Sequence, residues 1–350
     1  MELILEDGTV FSGKHFGYKT SVAGEVIFNT GMVGYPETLT DPSYKGQILV
    51  FTYPLVGNYG IPDATAAIKQ VQANFESEKI HLKGIVITSL TRDYSHWNAV
   101  RSLEDWMIEH KIPGLEGVDT RAITKRLRAS GTQLGKLVLE GKDLPFYDPS
   151  QENLVAQVSC KEPIEYAAGK KKVVLVDLGC KNNIIRSFLS RNVTVIRVPW
   201  DHDFNKIKCD GIMLSNGPGD PTLVRTTVEH LQPFLEKSKP LFGICMGHQL
   251  LSLAAGAMTY KLKFGHHSQN QPCILVGTKR CVITSQNHNY AVDDQTLPQD
   301  WSPWFFNAND GSNEGIRHKT KPFRSVQFHP EAWPGPVDTG FLFDEFIASL

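Results

Sequence analysis

The sequence has no surplus charge of either sign, no long apolar run and no closely spaced cysteine pair, and each absence removes a class of function. Lys and Arg number 36 against 37 Asp and Glu, a net charge of −1. Neither half of the chain carries the basic excess that a nucleic acid or an anionic membrane surface requires. The longest apolar stretch, near Leu250 to Met258, is broken by Ser252 and falls far short of the roughly 20 residues that span a bilayer. Acidic residues in Met1-Glu2-Leu3-Ile4-Leu5-Glu6-Asp7 stand where a secretory signal carries a basic segment, so a cytoplasmic location is expected. No internal repeat, low-complexity tract or G-x-x-x-x-G-K-[ST] phosphate cradle is present. The nearest approach to the cradle, Gly131 to Leu137, is too short and lacks the hydroxyl residue.

Cysteine is sparse, and all six residues lie beyond position 150: Cys160, Cys180, Cys209, Cys245, Cys273 and Cys281. None forms the C-x-x-C spacing of a zinc or dithiol site, so no metal is expected on this chain. With 350 residues and 41% hydrophobic composition, the chain is long enough for two cores without disulfide staples. The question is whether one thiol is a nucleophile.

Residues 1–150 read as a β-rich α+β domain. Short apolar runs at 3–5 and 9–11 flank Glu6-Asp7-Gly8, a hairpin signal. Further strands are expected at 24–29, 47–52 and 84–88, with helices over 103–110 and over 120–128, the latter capped by Thr120. The cations Lys125, Arg126 and Arg128 fit the last turn of that helix. From 151 to 172 the periodic signals fade, which reads as a linker. From 173 to 350 the grammar changes to continuous apolar strands (173–176, 193–198, 212–214, 240–244) alternating with helical stretches (183–191, 226–235, 248–257). This is an open, mostly parallel α/β sheet with flanking helices. Ligands of such sheets sit beyond the carboxyl ends of the strands, which points to the loops after Leu214 and Ile244.

Cys245 occupies one of those ends, in Gly243-Ile244-Cys245-Met246-Gly247, between an expected strand and an expected helix. This G-x-C-x-G has the form of a nucleophile elbow. It would expose the sulfur at the strand end, favour thiolate through the helix N-terminus and offer the following N–H to an oxyanion. The other five cysteines read as small buried hydrophobes. A thiol of this kind needs a base. His329, in Gln327-Phe328-His329-Pro330-Glu331, has Glu331 two residues on, the same-face spacing of an extended strand, so the carboxylate can orient the imidazole. His266-His267, with no adjacent carboxylate, reads as a solvated loop pair. Gly217-Pro218-Gly219 supplies a turn whose N–H groups can complete an oxyanion hole.

Three segments, Leu214-Ser215-Asn216-Gly217-Pro218-Gly219-Asp220-Pro221, Gly243 to Gln249 and Phe328-His329-Pro330-Glu331, closely resemble the motifs of class I, triad-type glutamine amidotransferases. Gly24 to Thr30, Thr40-Asp41-Pro42-Ser43-Tyr44 and Gly117-Val118-Asp119-Thr120-Arg121 resemble the N-terminal domain of small, glutaminase subunits of carbamoyl phosphate synthetases. The resemblance implies hydrolysis of L-glutamine through Cys245, His329 and Glu331. It also implies glutamine or oxyanion contacts from Gly217, Gly219, Met246, Gln249, Asn287, Asn289 and Tyr290, with Ser43 reaching in from the first domain. Where the family most often has Gly-Phe, this chain has Asn289-Tyr290; if that glycine serves a positive φ, Asn is its least costly replacement. The resemblance further implies a large synthetase subunit as partner, holding the ATP, magnesium and bicarbonate, in a pathway to arginine, pyrimidines or both. Another amidotransferase's glutaminase, a cysteine peptidase and a non-catalytic regulatory subunit remain as alternatives.

Overall fold

A computed structural model describes residues 1–350, which divide into two compact units, Met1–Ala67 with Gln72–Gln151, and Ile68–Val71 with Glu152–Leu350. The first is built on an eight-stranded mixed sheet. Its parallel centre runs Val22–Asn29, Gln47–Phe51, Gly84–Ile87 and Pro113–Glu116, and antiparallel strands complete both sides. Glu2–Leu5 and Val10–Ser12 form the expected hairpin, but only Gly8 takes a positive φ. The Gly8 N–H bonds Leu5 O and the Leu5 N–H bonds Thr9 O, so this is a three-residue loop with its glycine in the left-handed position rather than a two-residue turn. Helix Thr120–Ser130 begins one residue earlier than expected: Asp119 is the cap, its carboxylate accepting from the Ala122 N–H.

The second unit is a ten-stranded sheet in which period-2 alternation decides both faces. Along Lys172–Asp177, Val173 and Leu175 enter one core with Ile184, Phe188, Phe343 and Phe346. Val174 and Val176 enter another with Leu231, Phe234, Leu250 and Leu251. Helices Asn182–Ser190 and Phe341–Ser349 therefore cover one face, and Arg225–Leu235 and Met246–Ala255 the other. Lys172–Asp177 pairs in parallel with Thr194–Pro199 on one side and Gly211–Leu214 on the other, so the winding reverses there, at a topological switch point. Leu241–Ile244 and Phe323–Val326 continue the parallel centre.

Two parts of this unit depart from expectation. The stretch read as a linker carries a helical turn, Val155–Val158, and an antiparallel edge strand, Ile164–Tyr166, with Val155 fully buried. The sheet also extends beyond its parallel centre through antiparallel strands that include the long pair Thr259–Leu275 and Cys281–Val292. No helix in either unit is long and apolar enough to cross a membrane.

Candidate active site

Four loops converge at the carboxyl edge of the parallel strands, and close backbone packing holds them. Gly217 approaches the preceding loop so tightly that a Cβ would lie 2.0 Å from Leu178 O. A Cβ at Gly247 would meet Leu214 O at 2.5 Å, and one at Gly243 would meet Gly247 O at 2.6 Å. The elbow glycines are thus steric requirements. The Gly247 N–H bonds Ser215 O (3.0 Å), the Leu178 N–H bonds Ser215 Oγ (2.9 Å) and the Lys181 N–H bonds Asn216 Oδ1 (3.1 Å).

Cys245 sits at φ 53°, ψ −105°, immediately before helix Met246–Ala255. A non-glycine residue there stores strain that the surrounding packing has to maintain, as the elbow motif requires. Its N–H bonds Val326 O (2.9 Å), its thiol donates to Asn287 O (3.7 Å), and only 2% of the residue is exposed. Cys180, Cys209 and Cys273 are buried, as expected of structural thiols, whereas Cys281 is exposed. Burial, aided by the Asp177 carboxylate, pushes the Cys160 thiol up to about 12, and burial also raises Cys209 and Cys273.

Because Leu241–Ile244 and Phe323–Val326 are parallel neighbours with Ile244 opposite Val326, Cys245 and His329 leave adjacent strands at the same sheet edge. His329 Nδ1 lies 2.7 Å from Glu331 Oε1. Since an ionised carboxylate only accepts, Nδ1 carries the proton, and in the neutral ring Nε2 has the lone pair. His329 is 1% exposed, and its Nε2 has no hydrogen-bond partner.

Lys181, absent from the sequence reading, completes this constellation. Its Nζ lies 2.9 Å from Glu331 Oε1 and 3.4 Å from His329 Nδ1. A cation at a helix N-cap opposes the helix dipole, and that misplacement was the available signal. The loop carrying Lys181 is pinned by the buried Asp177 carboxylate, which accepts from the Gly179, Cys180 and Cys160 N–H groups and pairs with Arg197 at 2.6 Å. Burial alone would raise the Glu331 carboxyl, but Lys181 and then His329 outweigh it and bring it down to about 2. A depressed folded value contributes stability that is present above the unfolded value and lost as pH falls through the folded one. The unfolding midpoint in urea should therefore fall for the native chain between pH 4.5 and about 2 relative to Glu331→Gln. An unchanged difference across that window would exclude an ionised Glu331.

The remaining expected residues take varied places. Met246 is buried at the start of the helix, and Gly219 has φ +88°. Gln249 Nε2 bonds Tyr290 O (2.9 Å) and Gln327 Oε1 (3.0 Å), tying the helix to strand Cys281–Val292. Asn287 enters through its carbonyl beside Cys245. Asn289 has no positive φ, so the argument that it replaces a left-handed glycine does not apply. The left-handed residue is Gly265 (φ +69°) on the paired strand, where a Cβ would lie 2.4 Å from Asn289 Oδ1, so the missing side chain there makes room for Asn289. Ser43 belongs to the first unit, buried in the turn Pro42–Tyr44 with its N–H on Asp41 Oδ1.

The pair His266-His267 is not a solvated loop. Both residues are buried within strand Thr259–Leu275. His267 bridges Asn287 Oδ1 (2.8 Å) and Asn289 Oδ1 (2.9 Å), while His266 Nε2 pairs with Asp310 at 2.8 Å. Burial opposes a charge on His266, but Asp310 and Glu314 overcome it and lift the imidazole to about 9. The carboxylates come from a different hairpin, invisible to a search for neighbours in sequence.

Two family models match, and between them they cover most of the chain. Residues 174–349 match glutamine amidotransferase class-I, and residues 3–137 match the CPSase domain of the carbamoyl-phosphate synthase small chain. The chain belongs to the carbamoyl phosphate synthase small-chain family. It is 48% identical to the carbamoyl phosphate synthase arginine-specific small chain of Neosartorya fischeri, over 99% of this chain and 79% of that one. It is 53% identical to the multifunctional protein CAD of Squalus acanthias, over 99% of this chain and 16% of that protein. It is 48% identical to human mitochondrial carbamoyl-phosphate synthase [ammonia], over 99% of this chain and 23% of that protein. The chain thus spans less than a quarter of the length of these two longer relatives.

Proposed function

We propose that the chain is the glutaminase component of a glutamine-dependent carbamoyl phosphate synthase. The observation that carries this reading is the unpartnered Nε2 of His329, held in its basic tautomer by Glu331, which Lys181 in turn pairs, at the sheet edge where the strained Cys245 emerges. His329 Nε2 takes the Cys245 proton as Sγ attacks the side-chain carbonyl carbon of glutamine. The oxyanion so formed faces the N–H groups at the start of helix Met246–Ala255 and the Gly217–Gly219 turn. His329 then protonates the departing nitrogen, releasing ammonia and leaving a γ-glutamyl thioester on Cys245. Water attacks the thioester with His329 again accepting a proton, and glutamate leaves as the thiol is restored.

Gly217, Gly219, Met246, Gln249, Asn287, Asn289 and Tyr290 are proposed to hold glutamine or its oxyanion. Ammonia passes to a large synthetase component, which supplies the ATP, magnesium and bicarbonate chemistry and feeds arginine or pyrimidine synthesis. The relative whose name specifies arginine supports the first of these. A docking subunit without turnover is the second reading, favoured by the relative whose name specifies ammonia.

A chloroketone analogue of glutamine separates the two. It should alkylate one thiol per chain, mapped by peptide mass to Cys245 and blocked by glutamine. Labelling of the exposed Cys281 instead, without glutamine protection, would favour the docking reading.

A further inference from the structure

Behind the strand segment that meets Cys245 lies a second polar cluster that the glutaminase reading does not use. His266, His288 and Glu314, from three different strands, are buried with one potential ligand atom each, all within 4.8 Å of one another. We propose that these three residues bind a zinc ion that fixes strand Cys281–Val292 behind the candidate active site, a reading different from the sequence-based expectation of no metal.

Three features of the cluster point to a cation. Both imidazoles are oriented from outside, as metal-bound histidines are: His266 Nε2 faces Asp310 Oδ2 at 2.8 Å, and His288 Nδ1 donates to Tyr290 O at 2.8 Å. A backbone carbonyl only accepts, so the proton of a neutral His288 is on Nδ1 and the Nε2 lone pair faces inward. That lone pair meets another acceptor, Gln286 Oε1, at 3.2 Å; the Gln286 nitrogen is engaged by Thr284 Oγ1 (3.1 Å) and Cys273 Sγ (3.3 Å). Finally, Glu314 is fully buried and its Oε2 has no hydrogen bond of good geometry, a costly state for a buried polar atom.

One spacing already matches the ion. Zinc bonds of about 2.0–2.2 Å in a tetrahedron put neighbouring ligand atoms about 3.3–3.6 Å apart, and His266 Nδ1 stands 3.4 Å from Glu314 Oε1. That is too long for a charge-assisted hydrogen bond, which runs about 2.7–2.9 Å. The Asn307 amide borders the same space, 3.2 Å from Glu314 Oε1 and 3.4 Å from His266 Nδ1, and a proton on His266 balances the carboxylates when no metal is present. Two imidazoles and one carboxylate are a borderline nitrogen and oxygen set suited to zinc, with Gln286 Oε1 or water as fourth ligand. The consequence for the neighbouring site is positional. Strand Cys281–Val292 also supplies the carbonyl of Asn287 to Cys245 and that of Tyr290 to Gln249.

The test uses the full chain, stripped with a chelator, freed of any affinity tag and titrated with zinc alone, then with cobalt as a spectroscopic probe. One equivalent should bind, the cobalt form should show the visible bands of a tetrahedral site, and zinc should raise the melting temperature. Glu314→Gln and His266→Asn should each weaken zinc binding by about 10²-fold or more, and the exposed second-layer change Asp310→Asn by about tenfold. A native chain that takes up no zinc and gives no tetrahedral cobalt spectrum overturns the site, whatever the variants do. Equal zinc affinity in the native chain and the Asp310→Asn and Glu314→Gln variants places the ion elsewhere and also overturns it. None of these readouts depends on glutamine turnover.

Discussion

Replacing Cys245 with Ser should abolish glutamine-dependent carbamoyl phosphate synthesis by the assembled enzyme while leaving synthesis from added ammonia intact. The fall in glutamine turnover should be about 10⁴- to 10⁶-fold, the scale on which removing a triad nucleophile acts. Serine keeps nearly the volume of cysteine and can occupy the same strained backbone at φ 53°, held by the Val326 carbonyl and the flanking glycines. The elbow should therefore fold unchanged. What is lost is a sulfur nucleophile that a single imidazole can activate; a hydroxyl holds its proton far more tightly. Because the proposed synthetase chemistry lies on a partner, ammonia from solution bypasses the lesion. Equal loss of both activities would assign Cys245 to folding or assembly and leave the nucleophile unidentified.

The elbow was legible because everything that makes it is local. Gly243 and Gly247 bracket Cys245 within five residues, and the strand and helix on either side announce themselves by apolar pattern. His329 and Glu331 were legible because they are two residues apart, but the extended strand expected to carry them ends at Val326, and a turn with the Ala332 N–H on His329 O is what brings them together. Lys181 was not, because its meeting with Glu331 is made by sheet order: 150 residues separate them, and only the switch point at Lys172–Asp177 brings their loops to one edge.

The antiparallel half of the second sheet was unread for a different reason. Thr259–Leu275 passes through Gly265-His266-His267-Ser268-Gln269-Asn270, a polar run with the composition of a loop, and burial of such a run depends on partners contributed by other strands. Tertiary hydrogen bonds to Asn287, Asn289 and Asp310 are what allow those histidines to be inside. The supposed linker was misread on similar grounds, because Ile164–Tyr166 is too short to declare a strand until Thr194–Pro199 lies beside it.

Replacing His329 with Asn should lower glutamine turnover by about 10² to 10⁴, the contribution of a positioned acid and base. The other buried histidines near the site are poorly placed to substitute for it. His266 Nε2 is held by Asp310, His267 lies between Asn287 and Asn289, and His288 Nδ1 is committed to Tyr290 O. Only His329 combines a carboxylate on one nitrogen with an unpartnered second nitrogen at the edge where Cys245 emerges. Asn can preserve a hydrogen bond to Glu331 through its amide, so the ion pair with Lys181 should persist and thermal stability should change little compared with turnover. The step affected should be thioester formation as well as its hydrolysis, because the same imidazole serves both. Rapid-quench measurement of the γ-glutamyl intermediate should accordingly show slower formation without accumulation. A variant that accumulates thioester would confine His329 to the hydrolytic half, and one with unchanged turnover would remove it from the chemistry.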